Sequence, residues 1–121
     1  MCISNYFGNY KEEIEALERY KQRIIAYKKK FNPSSDVLFV MSENIKYIDK
    51  IIQDRKTIEE HGREIINRVP DPEARQLLTL YYCERKTWEQ IADIIYLSEQ
   101  TIYRRRAKAL ELFEIAEAEA V

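Results

Sequence analysis

Apolar residues recur along most of this chain at intervals of three and four, the period of one buried helical face. Tyr10, Ile14, Leu17, Lys21, Ile24, Lys28 and Phe31 fall on a single stripe, which predicts a first helix from Tyr10. Lys21 and Lys28 weaken that seam, while Tyr20 and Tyr27 widen it. The helix should end at Asn32-Pro33-Ser34-Ser35-Asp36, because proline disfavours the α conformation of the residue before it. A longer helix is expected to start between Asp36 and Ser42 and to run to the neighbourhood of Arg68. Within it Met41, Ile48, Arg55, Gly62 and Val69 recur every seven residues, and Ile51, Ile58 and Ile65 form a companion series. Ile45, Ile52 and Ile66 broaden the apolar face, so this helix should pack on the first helix folded back or on a partner chain. Gly62 in its interior costs roughly 1 kcal/mol against Ala. Three readings of it stay open: a close crossing, a kink, or no packing role.

The pattern then shortens. Val69-Pro70-Asp71-Pro72 stops the long helix and starts another, with Asp71 as N-cap and Pro72 where a missing N–H does no harm. This helix should bury Leu77, Leu78 and Tyr81, with Tyr82 beside them; Glu84-Arg85-Lys86 makes a loop and Thr87 caps the next helix. Trp88, Ile91, Ala92 and Ile95 stand at i, i+3, i+4 and i+7, one buried stripe. Ala92 is small enough to let two helices cross closely. Ser98 sits at an N-cap position, and the helix after it carries Ile102, Ala109 and Leu110 inward with Arg104, Arg105, Arg106 and Lys108 crowded between them. A short amphipathic helix, a tight turn and a basic helix form the arrangement of a DNA-binding helix-turn-helix. The acidic tail from Glu114 should prolong this last helix and fray near Val121, and residues 1–9 read as a loosely held arm with Tyr6 and Phe7 as docking groups.

Composition narrows the class. Two Gly and three Pro in 121 residues leave little material for hairpin turns, so an all-α fold is expected. Its organisation should be an N-terminal helical hairpin (1–69) and a C-terminal trihelical helix-turn-helix unit (70–121). A formal net charge of −1 does not advertise strong non-specific nucleic-acid binding. Residues 71–121 hold 7 Lys and Arg against 10 Asp and Glu, so the basic run is local and favours local phosphate contact. Cys2 and Cys83 suggest neither a metal motif nor a disulfide framework. No apolar run approaches a membrane span and the N-terminus does not resemble a signal peptide, so no membrane partner and a cytoplasmic location are expected.

Candidate chemistry concentrates after Ser98. With Ile102 inward, Glu99, Gln100, Tyr103 and Arg104 would face a major groove, where Gln can read adenine and Arg guanine. Ser98, Thr101, Arg105, Arg106 and Lys108 are the candidate phosphate contacts. Enzymatic signals are thin, and no enzyme is expected. The single histidine, His61, reads as a surface residue, and no Gly-rich phosphate loop, HExxH or CxxC occurs. No cofactor or metal is implied. Nine tyrosines leave room for stacking on single strands, yet they follow helical stripes instead of lining a basic groove.

The segment RQLLTLYYCERKTWEQIADIIYLSEQTIYRRRAKALELF, residues 75–113, resembles region 4 of sigma-70-type factors. The likeness is carried by Leu77-Leu78 with Tyr81-Tyr82, Trp88 with Ile91-Ala92, Leu97-Ser98, Thr101-Ile102 and Ala107-Lys108-Ala109-Leu110. It is similar above all to small phage and prophage regulators of the ArpU and RinA kind. The resemblance implies sequence-specific reading of double-stranded DNA by Glu99, Gln100, Tyr103 and Arg104 in transcription regulation, with RNA polymerase as a possible partner. Two departures stand out: Glu99 replaces a residue that is often basic, and Tyr96 holds the turn position usually given to Gly. Residues 10–69, which have no counterpart there, are expected to supply dimerisation or partner contact. Two alternatives remain: a helical adaptor that holds polymerase or another protein without reading DNA, and a DNA-binding module of phage packaging.

Overall fold

The computed structural model describes residues 3–120, and the chain is all-α: no strand occurs among them. The thiol of Cys2 and the fraying expected at Val121 lie outside the described residues. Helices α1 (Ser4–Phe7), α2 (Tyr10–Phe31), α3 (Ser35–Arg68), α4 (Pro72–Leu78), α5 (Trp88–Ile95) and α6 (Glu99–Glu119) follow in order, with a π-helical turn at Thr79–Cys83 between α4 and α5. No helix is long and apolar enough to cross a membrane among the described residues. Contacts divide the chain into two compact units, Asn9–Ile58 and the remainder, so the division falls inside the continuous helix α3 and not at the 69–71 break between helices. The reason is packing: Gly62, Ile65, Ile66 and Val69 are buried in the C-terminal unit.

Unit Asn9–Ile58 is an antiparallel hairpin of α2 and the first part of α3. Asn32 ends α2 in the left-handed region with φ 42° and ψ 62°, a conformation asparagine tolerates better than most residues. Its core is thin: Ile14, Ile48 and Ile52 are buried, with Leu17 and Ile24 packed at the edge. Lys21, which breaks the apolar stripe in sequence, instead clips the helices together through Asp49 at 2.7 Å. Arg55, at a heptad position, pairs with Glu13 at 3.0 Å and lies over the Tyr10 ring. Phe31 departs from the expected seam and is exposed.

The second unit corrects the expected loose arm. Ile3, Tyr6 and Phe7 are all buried, and the Arg85 guanidinium donates to the carbonyl oxygens of Phe7 and Gly8, each at 2.9 Å. Arg85 reaches them from a left-handed backbone, φ 60°, with Glu59 at 3.8 Å from the same guanidinium. Gly62 is what admits the arm: a Cβ there would stand 2.6 Å from Tyr6 Cβ and under 3 Å from the Phe7 ring. Of the three readings open from sequence, close approach is the one realised. Tyr6 also meets the Phe113 ring edge-on at 5.9 Å and lies 5.7 Å from the exposed His61. Burial, then the hydrogen bond its hydroxyl donates to the Glu117 carboxylate, pushes the Tyr6 phenol above its ordinary pKa.

Candidate nucleic-acid interface

Four local signals build the C-terminal helices. Asp71 caps α4 by accepting from the Glu73 N–H at 3.0 Å, with Pro72 opening the helix. The π-helical turn then lets the Glu84 N–H reach back to the Thr79 carbonyl at 3.0 Å and the Lys86 N–H to that of Leu80 at 2.9 Å, closing the chain into the loop. Thr87 and Gln90 form a capping box: the Gln90 N–H donates to Thr87 Oγ1 at 3.1 Å, and the Thr87 N–H to Gln90 Oε1 at 2.9 Å. Ser98 caps α6 by accepting from the Thr101 N–H at 3.2 Å.

The turn between α5 and α6 passes through Tyr96 at φ 57° and ψ 41°, the left-handed conformation. Tyr96 and Leu97 both send their N–H groups to the Ala92 carbonyl, the latter at 3.1 Å, so the helix end is satisfied. A tyrosine in this conformation costs roughly 1 kcal/mol or more. Its side chain is 92% exposed, so no packing offsets that cost.

Beneath the turn, Leu77, Leu80, Ile91, Ala92 and Ile102 form one buried cluster, with Tyr81, Trp88, Ile95 and Leu97 packed on it. Leu78 is buried as expected, while Leu110 is only half-buried. The deeper anchor of α6 is Phe113, fully buried together with Ala109 and followed by Ala116. Sequence reasoning passed over Phe113, although its spacing of four from Ala109 carries the same signal.

With Ile102 and Ala109 facing inward, Glu99, Gln100, Tyr103 and Arg104 are all exposed, on the first two turns of α6. Ala107 is exposed as well and lies three residues past Arg104 and seven past Gln100, so a small residue continues that outward face. Glu111, one turn further, sets an acidic limit to it.

The candidate phosphate contacts separate into two groups. Arg105 is ion-paired with Glu73 in the first turn of α4. Arg106 lies over the Trp88 ring at 5.2 Å, and its buried Nε has no hydrogen-bond partner. Trp88 in turn stacks on Tyr81 at 4.0 Å with the planes 13° apart, and Tyr103 lies 6.2 Å away. Thr101 is half-buried, with its hydroxyl 2.9 Å from that of Ser98. Arg104 and Lys108 are exposed and form no ion pair among the described residues. Cys83 is half-buried, and burial outweighs the neighbouring Arg63 and Arg85 in raising its thiol pKa. No group of His, Cys, Asp and Glu able to hold a metal ion occurs among the described residues.

Residues 26–114 match the family described as protein of unknown function (DUF1492). The chain belongs to that family. The DUF1492 match runs from the last turns of α2 into α6, and takes in all of α3, α4 and α5 together with every candidate base-reading and phosphate residue. Helix α1, with Tyr6 and Phe7, lies before it, and Glu117 after it. No curated protein and no solved structure matches this DUF1492 chain.

Proposed function

We infer that this protein binds duplex DNA sequence-specifically and acts in transcription regulation, in the manner of a free-standing sigma region 4. The observation that carries the reading is the face formed by Glu99, Gln100, Tyr103 and Arg104: four exposed polar side chains on the first two turns of a capped helix, opposite the buried Ile102 and Ala109. That helix follows a tight left-handed turn from a second helix with which it shares a core, the arrangement that presents a helix N-terminus to a major groove. Arg104 and Gln100 carry the hydrogen-bonding groups for base edges, and Ala107 keeps the next turn low. Arg104 and Lys108 are the cations free for DNA, while Arg105 and Arg106 first serve the domain's own packing. The likeness to small phage and prophage regulators makes that the proposed setting.

Binding selection on random duplexes should enrich one motif. Arg104→Ala should then lose about 1–3 kcal/mol and relax the preference at a single base position. Lys108→Ala should weaken binding evenly across sequences and reduce the salt slope by about 1. Absence of any enriched motif at low salt would overturn the reading. A second reading draws on the internal engagement of Arg105 and Arg106 and on the acidic C-terminal half: an adaptor that holds RNA polymerase without touching DNA. Polymerase capture by the Arg104→Ala variant at full strength, with no duplex binding by the unaltered chain, would favour it.

A further inference from the structure

The hairpin unit leaves an apolar face uncovered. Tyr20, Tyr27 and Phe31 follow one another at seven and four residues along α2, and Val40 and Tyr47 at seven along α3, so each set forms a stripe. Measured from the buried positions Ile14 on α2 and Ile48 and Ile52 on α3, both stripes are displaced by roughly a quarter-turn or more in the same rotational sense. Because the helices run antiparallel, equal senses of rotation bring both stripes to the same side of the hairpin. There the four aromatic rings are between 46% and 67% exposed, with Val40 at 56% and Val37 at 42% near the tip. Tyr27 and Phe31 already touch at 4.7 Å.

We propose that this face is covered by the same face of a second copy of the chain, the two hairpins forming an antiparallel four-helix bundle. Three observations select that occupant. The first is area. Taking ~200 Å² for a whole aromatic side chain and somewhat less for valine, the patch offers about 600 Å² per copy, or ~1,200 Å² over a twofold pair, the threshold of a stable specific interface. The second is the thin core: three buried side chains for a unit spanning Asn9–Ile58, which a second layer of two helices would complete. The third is charge. Helix α2 carries Glu12, Glu13, Glu15 and Glu18 against Lys11 and Arg19 in its first half, a net acidic stretch, and Lys21, Arg23, Lys28, Lys29 and Lys30 with no acid in its second. A parallel pair would oppose five cations to five. An antiparallel twofold pair turns the acidic half of each α2 toward the basic half of the other, so the surface is complementary to itself. The inference is independent of whether α6 reads DNA.

The test is the mass of the full chain by size exclusion with light scattering. The unaltered protein should run at twice the 14.6 kDa chain mass, and Tyr27→Glu combined with Tyr47→Glu should return it to the single-chain mass with an unchanged helical circular dichroism spectrum. Phe39→Glu is the control: Phe39 is 67% exposed but lies about a quarter-turn from the Val40–Tyr47 stripe, on the side of α3 turned away from Ile48 and Ile52, and its replacement should leave the doubled mass intact. A single-chain mass for the unaltered protein at its highest soluble concentration would overturn the proposal. So would a doubled mass that survives the paired substitution, or one that Phe39→Glu abolishes. Should the paired variant fail to fold, nuclear Overhauser contacts in a mixed labelled and unlabelled sample of the unaltered chain decide the matter. Contacts between the Tyr20, Tyr27, Phe31 and Tyr47 rings of different copies are expected, and their absence from a doubled species would refute the face.

Discussion

Gly62 shows how a single residue can reverse a rule. Helix propensity alone makes Gly62→Ala stabilising by roughly 1 kcal/mol. A Cβ there would stand 2.6 Å from Tyr6 Cβ and under 3 Å from the Phe7 ring, so either the helix or the arm must shift. Overpacking of this kind costs typically 1–3 kcal/mol. The net expectation for Gly62→Ala is destabilisation, read as a lower midpoint in denaturant with an unchanged slope. Tyr6 makes a second prediction on the same contact. Its pKa is raised in the folded state, so its contribution is present below the ordinary phenol pKa of about 10 and is lost as pH rises beyond it. Tyr6→Phe should cost about 0.5–1.5 kcal/mol at neutral pH, the worth of a hydrogen bond, and should flatten the fall in stability above pH ~10. Thermal melts of both proteins between neutral and strongly alkaline pH would show the difference in slope.

At the scale of elements, helix α6 divides its cations by what lies beside each one. Arg106 is held over Trp88, which Tyr81 backs on its stacked side, so this arginine helps seat α6 on the Trp88 helix. Arg105 is held by Glu73, a partly exposed pair that contributes little to stability. Glu73 nevertheless competes with any phosphate for that guanidinium. Glu73→Gln should therefore leave the melting temperature nearly unchanged while tightening duplex binding and steepening its salt dependence by about one counterion, measured by titration at several salt concentrations. The cap on α4 survives this change, because Asp71 accepts from the Glu73 backbone N–H and not from its side chain.

For the whole molecule, burial is unevenly shared. The C-terminal unit encloses Ile65, Ile66, Val69, Leu77, Leu78, Ile91, Ile102 and Phe113 almost completely, whereas the hairpin unit buries only Ile14, Ile48 and Ile52. A hairpin so constituted gains from any second copy that covers it, and such linkage makes stability depend on concentration. The midpoint of thermal unfolding should rise with protein concentration in the unaltered chain and become independent of it when Tyr27 and Tyr47 carry Glu. Scanning calorimetry over a wide range of concentrations would register both outcomes.

Much of this architecture is legible in the order of residues because it rests on short-range physics. The helix breaks at Asn32-Pro33 and Val69-Pro70, the caps at Asp71, Thr87 and Ser98, and the left-handed turn at Tyr96 each depend on neighbours within a few positions. The inward stripe of Ile91, Ala92 and Ile102, and hence the outward face of Glu99, Gln100, Tyr103 and Arg104, follow from helical periodicity. What periodicity cannot supply is the identity of a distant neighbour. Tyr6 and Phe7 read from sequence as docking groups on a loosely held arm with no visible receiving site, because the glycine that receives them stands some 55 residues later, and Arg85 reaches back 77 residues to Gly8. Arg105 and Arg106 read from sequence as phosphate contacts on a par with Lys108, because Glu73 and Trp88 come beside them only when the helices pack. Sequence therefore determined the helices from Tyr10 onward, the breaks and caps between them and the face that α6 turns outward. Tertiary structure alone decided which side chains on that helix are already spoken for, because a charge or ring is engaged by what folding brings within a few ångströms of it.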